Sequence, residues 1–193
     1  MSAVTSSTPF IPELLCPAGS LKNMRYAFAY GADAVYAGQP RYSLRVRNNE
    51  FDLDTLQLGI NEAHALNKKF YVVSNIAPHN AKVKSYLRDI EPVIAMKPDA
   101  LIMSDPGLIM LVREKWPDMP IHLSVQANAV NYASVLFWAK QGIERVISRR
   151  GRCGHGSFRP QESRYRLHPA WTGGPAQTAG RAPPLACGAC CLS

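Results

Sequence analysis

A regular alternation of strand-like and helix-like segments is the feature that most constrains the fold of this chain. Short apolar runs alternate with amphipathic segments from residue 13 to residue 147, at a spacing of about 25 to 35 residues. Such alternation is typical of a parallel sheet whose strands are joined by crossover helices. The predicted strands cover 13–19, 34–38, 69–75, 100–104, 121–127 and 144–147, and the predicted helices cover 21–30, 52–66, 83–94, 107–116 and 131–141. Ser20 and Asn131 are predicted helix caps, and Asp54 with Gln57 is a predicted capping box. The third helix is expected to be interrupted or restarted at Pro92.

Two architectures accommodate this pattern: a doubly wound open sheet and a (β/α)8 barrel, which needs about 250 residues. No G-x-G-x-x-G motif follows the first predicted strand, which counts against a dinucleotide-binding sheet. Five complete units and part of a sixth therefore predict an α/β fold, a partial TIM-like parallel (β/α) barrel over residues 13–147. Residues 1–12 are expected to form a flexible N-terminus. The unpaired edges of strands one and six would favour aggregation or self-association.

The composition changes abruptly at residue 148. The formal net charge is +8, and residues 148–193 hold seven arginines and one acid but no isoleucine, valine or methionine. Such a segment cannot bury enough apolar surface to offset the loss of chain entropy, so we expect a disordered C-terminal tail. Because the change falls within a predicted strand, we interpret the tail as out-of-frame translation beginning near Ile147. A genuine disordered basic tail is the alternative.

A basic loop follows the second predicted strand. Arg41, Arg45 and Arg47 lie within nine positions of the end of that strand at Gly38. Ligands of β/α folds bind at the carboxyl ends of parallel strands, and guanidinium groups match carboxylate and phosphate oxygens. The loop is therefore either a binding site for an anionic substrate or a solvated surface loop.

Further polar residues stand at or beyond the ends of other predicted strands. Asn75 and His79 follow strand three, Asp105 follows strand four, and Gln126 and Asn128 close strand five. Gln126 and Asn128 alternate with apolar residues, so on a strand they would share one face, in the barrel mouth or in a polar layer of the core. His79 is either a general base or a surface histidine. Asp105 is either a helix cap or a catalytic acid.

Other chemistries find little support in the sequence. There is no G-x-S-x-G or H-E-x-x-H motif, and Cys16, at a buried strand end, is typical of inert packing. The C-x-x-C-C sequence at 187–191 is too weak a signal to assign a metal site. No apolar run approaches the roughly 20 residues of a membrane span, and the N-terminus lacks the features of a secretory signal. A cytoplasmic protein without a membrane partner is expected.

Four segments carry a resemblance to a known family: ELLCPAGSLKNMRYAFAYGADAVYAGQPRYSLRVRNNEF, NIAPHNAK, PDALIMSDPGLIMLVRE and PIHLSVQANAVN. Together they closely resemble the N-terminal part of the bacterial U32 peptidase family, from Glu13 to Ile147. The resemblance implies a TIM-barrel-like N-terminal domain and a role in prephenate-dependent hydroxylation of the wobble uridine of certain tRNAs. Other members of the family are collagenase-type peptidases, or act in anaerobic ubiquinone hydroxylation and carry an iron–sulfur cluster.

The resemblance ends at Ser148, before the rest of the barrel, the cysteine-containing signature region and the C-terminal domain of the family. We therefore expect no cofactor in this chain, and an iron–sulfur cluster and prephenate only in a full-length parent. The partners that the resemblance implies for that parent are tRNA and a small anionic substrate. The polar barrel-mouth residues that it brings to this chain are Arg41, Arg45, Arg47, Asn75, His79, Gln126 and Asn128.

Three functional interpretations remain open at this point. The full-length parent is either a tRNA-hydroxylating enzyme or a collagenase-like peptidase, and the absence of an assembled nucleophile and base favours the first. The third interpretation is that this chain is an inactive fragment that binds anions only non-specifically. Because barrel enzymes draw catalytic groups from the ends of several strands, we expect the 193-residue chain to be catalytically inactive.

Overall fold

A parallel six-stranded sheet organises the molecule. The computed structural model describes residues 12–44 and 49–148 of the chain. The strands are neighbours in chain order, and every adjacent pair is parallel, which confirms the predicted α/β alternation. The strands are β1 (Leu15–Pro17), β2 (Ala34–Gly38), β3 (Lys69–Ser74), β4 (Ala100–Met103), β5 (Ile121–Leu123) and β6 (Arg145–Val146).

One α-helix connects each pair of consecutive strands. In four of the helices, the residue before the first turn accepts a backbone hydrogen bond through its side chain, which is the usual N-cap arrangement; these caps are Ser20, Asp52, Asp105 and Asn131. Among the described residues, no helix is long and apolar enough to cross a membrane. The helices are α1 (Leu21–Ala29), α2 (Leu53–Ala65), α3 (Asn80–Ala95), α4 (Pro106–Lys115) and α5 (Tyr132–Lys140).

The capping box of α2 differs from the predicted one. The sequence suggests Asp54 with Gln57, whereas the structure pairs Asp52 with Thr55. Asp52 Oδ1 accepts a hydrogen bond from Thr55 N (2.8 Å), and Asp52 N donates to Thr55 Oγ1 (3.0 Å). The threonine hydroxyl thus satisfies the backbone donor that a glutamine would otherwise reach.

Helix α3 continues through Pro92, where the sequence predicts an interruption. The helix is unbroken from Asn80 to Ala95, although a proline in a helix interior costs roughly 3 kcal/mol. Ile90 and Val93, on either side of Pro92, are fully buried. Their burial against the rest of the core offsets the cost of the proline and keeps the helix in one piece.

Strand β5 is shorter than predicted, ending at Leu123 instead of Ala127. Ser124 caps a 3₁₀ turn over Val125–Ala127, and Asn128 then adopts a left-handed conformation with φ of 52°. Gln126 and Asn128 therefore do not alternate along a strand, and the prediction that they share a strand face is wrong. A serine side chain that bonds the backbone two residues ahead favours a turn over an extended strand.

The sheet separates two apolar clusters. Val35, Val72 and Leu101 belong to the larger one, which includes buried residues of the helices. Tyr71 and Ile102 belong to the smaller one on the opposite, inner face. Because the sheet curls around this inner face, Glu13 beside β1 reaches Arg145 of β6. The six strands thus form a curled half-barrel, which confirms the predicted partial TIM-like architecture.

Candidate functional site

Asn75 ties together the loops at the carboxyl edge of the sheet. Its Oδ1 accepts a hydrogen bond from Leu44 N (3.2 Å), and its Nδ2 donates to Ser124 Oγ (3.3 Å). Its backbone carbonyl accepts a hydrogen bond from Ser104 Oγ (2.9 Å). One residue after β3 therefore fixes the segments that follow β2, β4 and β5. The structure thus brings the segments that follow four different strands into contact at the carboxyl edge.

Gln126 and Asn128 lie at the same edge, in the turn after β5. Ser124 Oγ, which accepts from Asn75, also accepts a hydrogen bond from Gln126 N (3.4 Å). Both side chains are exposed. The turn thus presents two amide groups to solvent from a backbone that is anchored to Asn75. Amides of this kind can donate to and accept from a polar ligand.

Arg41 lies beside α3 at the end of β2. Its Nη1 contacts Asp89 Oδ2 at 3.0 Å, its side chain is 64% exposed and its φ is 73°. Tyr42 OH donates to the same oxygen at 2.7 Å, and this hydrogen bond, with the arginines around it, holds the pKa of Asp89 below its usual value. Arg45 and Arg47, which the sequence places in the same loop, lie outside the described residues.

The start of this loop is built into the core, which sequence reasoning missed. Tyr42 is fully buried and packs edge-to-face on Tyr86, with ring centroids 5.0 Å apart. Gln39 is 2% exposed and donates through Nε2 to the carbonyl of Asp89 (3.2 Å). A loop whose first residues are held in this way can present the side chain of Arg41 at a defined place. The signal available in the sequence was Tyr42, an aromatic residue in an otherwise basic loop, which favours contact with the core.

His79 and Asp105 occupy the N-cap positions of α3 and α4. Asp105 Oδ1 accepts a hydrogen bond from Leu108 N (2.8 Å), which is the geometry of the predicted helix cap. His79 makes no side-chain capping bond and is exposed. The structure therefore places His79 on the surface of the carboxyl edge and commits the Asp105 carboxylate to the backbone.

The serine hydroxyls of this edge are paired with weakly basic groups. Ser74 Oγ lies 2.9 Å from Tyr86 OH, while Ser104 donates to a carbonyl and Ser124 contacts the amide of Asn75. A phenol, a carbonyl and an amide cannot take a proton from an attacking serine. These three hydroxyls are consequently not arranged as activated nucleophiles.

A different cluster occupies the amino edge of the inner face. Glu13 receives Arg145 Nη1 at 2.6 Å, Arg145 Nη2 at 3.4 Å, Tyr71 OH at 3.0 Å and Lys69 Nζ at 3.2 Å. Burial alone would raise the pKa of Glu13, but the hydrogen bonds and charge of Arg145, with Tyr71 and Lys69, lower it to about 2. No local pattern in the sequence indicates this pairing, because Glu13 and Arg145 are 132 residues apart.

His122 of β5 lies next to this cluster. It is 6% exposed, its ring lies 4.8 Å from that of Tyr71, and its Nδ1 has no hydrogen-bond partner. Burial, together with the charge of Arg145, lowers the pKa of His122 to about 3. A cleft of about 580 Å³ opens here, and His122, Tyr71 and Arg145 are among the residues that line it. His122 is therefore neutral at physiological pH.

An iron–sulfur cluster, which the family resemblance implies for a full-length parent, does not fit the described residues. Within residues 12–44 and 49–148, no group of three or more histidine, cysteine, aspartate or glutamate side chains could hold a metal ion. Cys16 is the single cysteine in these ranges, whereas a cluster is normally held by about four cysteines. The tail cysteines 153, 187, 190 and 191 lie outside the described residues.

Comparisons with known proteins agree with the fold and with the resemblance. The sequence profile of peptidase family U32 matches residues 19–151. The tRNA hydroxylation protein P of Escherichia coli (strain K12) is 79% identical over 138 residues, covering 72% of this chain and 30% of that protein. The protein of the same name from Haemophilus influenzae is 74% identical over 141 residues, covering 73% of this chain and 31% of that protein.

A solved structure shows the same fold at low sequence identity. The U32 peptidase Mk0906 superposes with a TM-score of 0.59 over 76% of this chain and 62% of that chain, at 9% identity. This likeness concerns the fold alone. The chain spans 30 to 31% of the length of the two curated relatives described above.

Proposed function

The chain belongs to peptidase family U32, and we propose that it supplies the N-terminal part of an enzyme that hydroxylates the wobble uridine of tRNA. The observation that carries the proposal is the 79% identity over 138 residues to a protein named for tRNA hydroxylation. Because the proposed substrate is tRNA, we also propose a cytoplasmic location.

The geometry of the carboxyl edge supports this assignment. The exposed amides of Gln126 and Asn128 are suited to hydrogen bonding with the edge of a base or with a ribose. Asn75 fixes the loops around them, as its three hydrogen bonds indicate. We assign Gln126 and Asn128 to substrate contact and Asn75 to positioning.

We further propose that the small co-substrate is a carboxylate such as prephenate. Arg41 stands at the same edge with most of its side chain exposed, and Arg45 and Arg47 follow within six residues along the chain. Guanidinium forks bind carboxylates through paired N–H donors, which gives them both affinity and orientation. An iron–sulfur cluster would need ligands from outside the described residues, and no step is assigned to it.

Peptide hydrolysis is the alternative suggested by the family name. Serine chemistry at this edge is disfavoured because the hydroxyls of Ser74, Ser104 and Ser124 are paired with a phenol, a carbonyl and an amide. No observation in the described residues favours hydrolysis over hydroxylation.

A chimera tests the proposal. Residues 13–147 of this chain would replace the matching segment of the Escherichia coli relative, and the product would be expressed in cells that lack that protein. We expect mass spectrometry of tRNA nucleosides to show hydroxylated wobble uridine, and purified chimera to leave denatured collagen and casein intact. Peptide cleavage without hydroxylated uridine would contradict the proposal. The 193-residue chain alone forms a second arm, in which we expect no hydroxylation.

A further inference from the structure

We propose that the exposed face of the N-terminal half of α3, together with Arg41, is a docking surface for the phosphate backbone of RNA. The inference rests on the proposed function and specifies how its substrate would be held. The surface lies on the outer side of the carboxyl edge, because α3 begins six residues after the end of β3.

Two arginines are gathered at one point of this surface. Arg41 Nη1 and Arg88 Nε contact the two oxygens of the Asp89 carboxylate, at 3.0 and 3.2 Å. Their side chains are 64% and 78% exposed. Each guanidinium carries five N–H donors and commits one of them to Asp89 in these contacts. Their remaining N–H donors are therefore largely available to solvent. The shared carboxylate of Asp89 holds the two guanidinium groups close to each other.

Two exposed lysines extend the positive charge along the helix. Lys84 lies one turn before Arg88 on the same side of α3, and Lys82 lies in the first turn. Glu91, the next acid along the helix, is engaged by Lys115 of α4 at 3.1 Å. The surface therefore carries four cations, Arg41, Lys82, Lys84 and Arg88, against the carboxylates of Asp89 and Glu91, and the second carboxylate is paired with Lys115.

Helix stability does not explain these cations. The positive end of the helix dipole disfavours lysines in the first turns, and the first turn of α3 contains no acidic residue. Lys84 and Arg88 repel each other, because like charges four residues apart are neighbours on a helix. A polyanion would relieve both effects, and the phosphates of an RNA backbone supply regularly spaced negative charge.

Binding of unmodified tRNA over a range of salt concentrations tests the surface. The variant K84Q/R88Q of the 193-residue chain removes two of its charges from exposed positions. We expect the slope of log affinity against log salt to become shallower by about 1.5, and the affinity at about 0.1 M salt to fall roughly 10- to 30-fold. Fluorescence anisotropy with labelled tRNA gives both quantities.

The matched control is K97Q/K140Q, which removes two exposed lysines that follow the C-terminal turn of α3 or end α5, at the opposite edge of the sheet. We expect its salt slope to change by less than about 0.5. The basic tail is common to all variants and cancels in the comparison. Far-ultraviolet circular dichroism checks folding; should the double variant not fold, K84Q and R88Q alone should each lower the slope by about 0.75.

An unchanged slope in the α3 variants, or an equal change in the control, would overturn the proposal. So would a loss of binding to vesicles of anionic phospholipid with tRNA binding intact, since the partner would then be a membrane. The assay requires no hydroxylation. Its failure therefore leaves the proposed function standing, and a chimera without hydroxylation activity leaves this result standing.

Discussion

The amino edge of the sheet holds a partly buried ion pair between Glu13 and Arg145, whereas the carboxyl edge holds amides and hydroxyls arranged around Asn75. At the amino edge, the side chains of both partners are 14% exposed. At the carboxyl edge, Gln126 and Asn128 face solvent. The same six strands therefore carry a poorly exposed ion pair at the amino edge and exposed amides at the carboxyl edge.

We propose that the amino edge serves stability and that the carboxyl edge serves substrate binding. Removal of a carboxylate from water is costly, so its oxygens must bind several fixed partners within the protein. These oxygens are then not available to bind a ligand. Glu13 has three such partners, from β3 and β6. In β/α barrels the carboxyl ends of the strands carry catalysis and the amino ends carry stability. The Glu13–Arg145 pair lies at the amino edge of this half-barrel, and the proposed substrate site lies at the carboxyl edge.

Removal of Arg145 should have the largest effect on stability. Arg145→Met leaves the partly buried Glu13 carboxylate without its bidentate partner, and we expect the free energy of unfolding to fall by about 3 kcal/mol. Arg25→Met is the control, because it breaks a similar contact with Glu62 in which the arginine side chain is 59% exposed. That variant should lose much less stability than Arg145→Met, because solvent screens an exposed ion pair. Urea denaturation measures both, and equal losses would show that the amino edge has no special role.

The pH dependence of stability should come mainly from the amino edge. The pKa of His122 is lowered from 6.5 to about 3. Neutral His122 therefore contributes fully to the free energy of unfolding above pH 6.5, and this contribution is lost as the pH falls toward 3. The stabilising contribution of Glu13 is likewise lost as the pH falls, between its ordinary pKa of 4.5 and its lowered pKa of about 2. Between about pH 7 and pH 5, His122 should account for a loss of about 2 kcal/mol.

The variant His122→Phe isolates this effect, because phenylalanine can keep the ring contact with Tyr71 but does not titrate. Its unfolding free energy should be about 2 kcal/mol less sensitive to the same pH change than that of the unmodified chain. Parallel pH profiles for the two proteins would contradict the pKa of His122 given above.

Removal of Asn75 should have a smaller effect on stability, confined to the carboxyl edge. Asn75→Ala removes the hydrogen bonds to Leu44 N and Ser124 Oγ, and we expect a loss of about 1 kcal/mol. Hydrogen exchange should accelerate at the amide of Leu44 but not at that of Phe70, which donates to Asp99 at the opposite edge. Equal acceleration at both sites would mean that the edges are not independent.

Replacement of Gln126 should have the smallest effect on stability. Its side chain is exposed, so Gln126→Ala should change the unfolding free energy by less than about 0.5 kcal/mol. Thermal unfolding of the chain measures this change. A loss above about 1 kcal/mol would show that Gln126 is a structural residue and would remove it from the substrate site.

Local patterns predicted most of the fold. The apolar runs located all six strands, and Ser20, Asp105 and Asn131 were identified as helix caps because capping depends on neighbouring residues. The predicted end of β5 was wrong because Ser124 caps a turn at a place where polar and apolar residues alternate as in a strand. Pro92 was misjudged because the burial that holds α3 together is tertiary.

The position of the candidate site at the carboxyl edge was predictable from the sequence, but its hydrogen bonds and ion pairs were not. The strand ends pointed to Asn75, Gln126 and Asn128, since all parallel strands end at one edge. The pairing of Arg41 with Asp89 and the contacts of Asn75 join residues 31 to 49 positions apart. The Glu13–Arg145 pair requires the curl of the whole sheet. Such contacts follow from the fold and leave no periodic trace in a single sequence.

One measurement tests most directly the claim that the carboxyl edge holds the substrate. In the chimera, Q126A/N128G removes both exposed amides, and glycine suits the left-handed backbone at position 128. His122→Phe alters the opposite edge. Hydroxylated wobble uridine, measured by mass spectrometry of cellular tRNA, should fall at least about tenfold with Q126A/N128G and stay near normal with His122→Phe. Normal hydroxylation with Q126A/N128G, together with its loss in His122→Phe, would contradict the account.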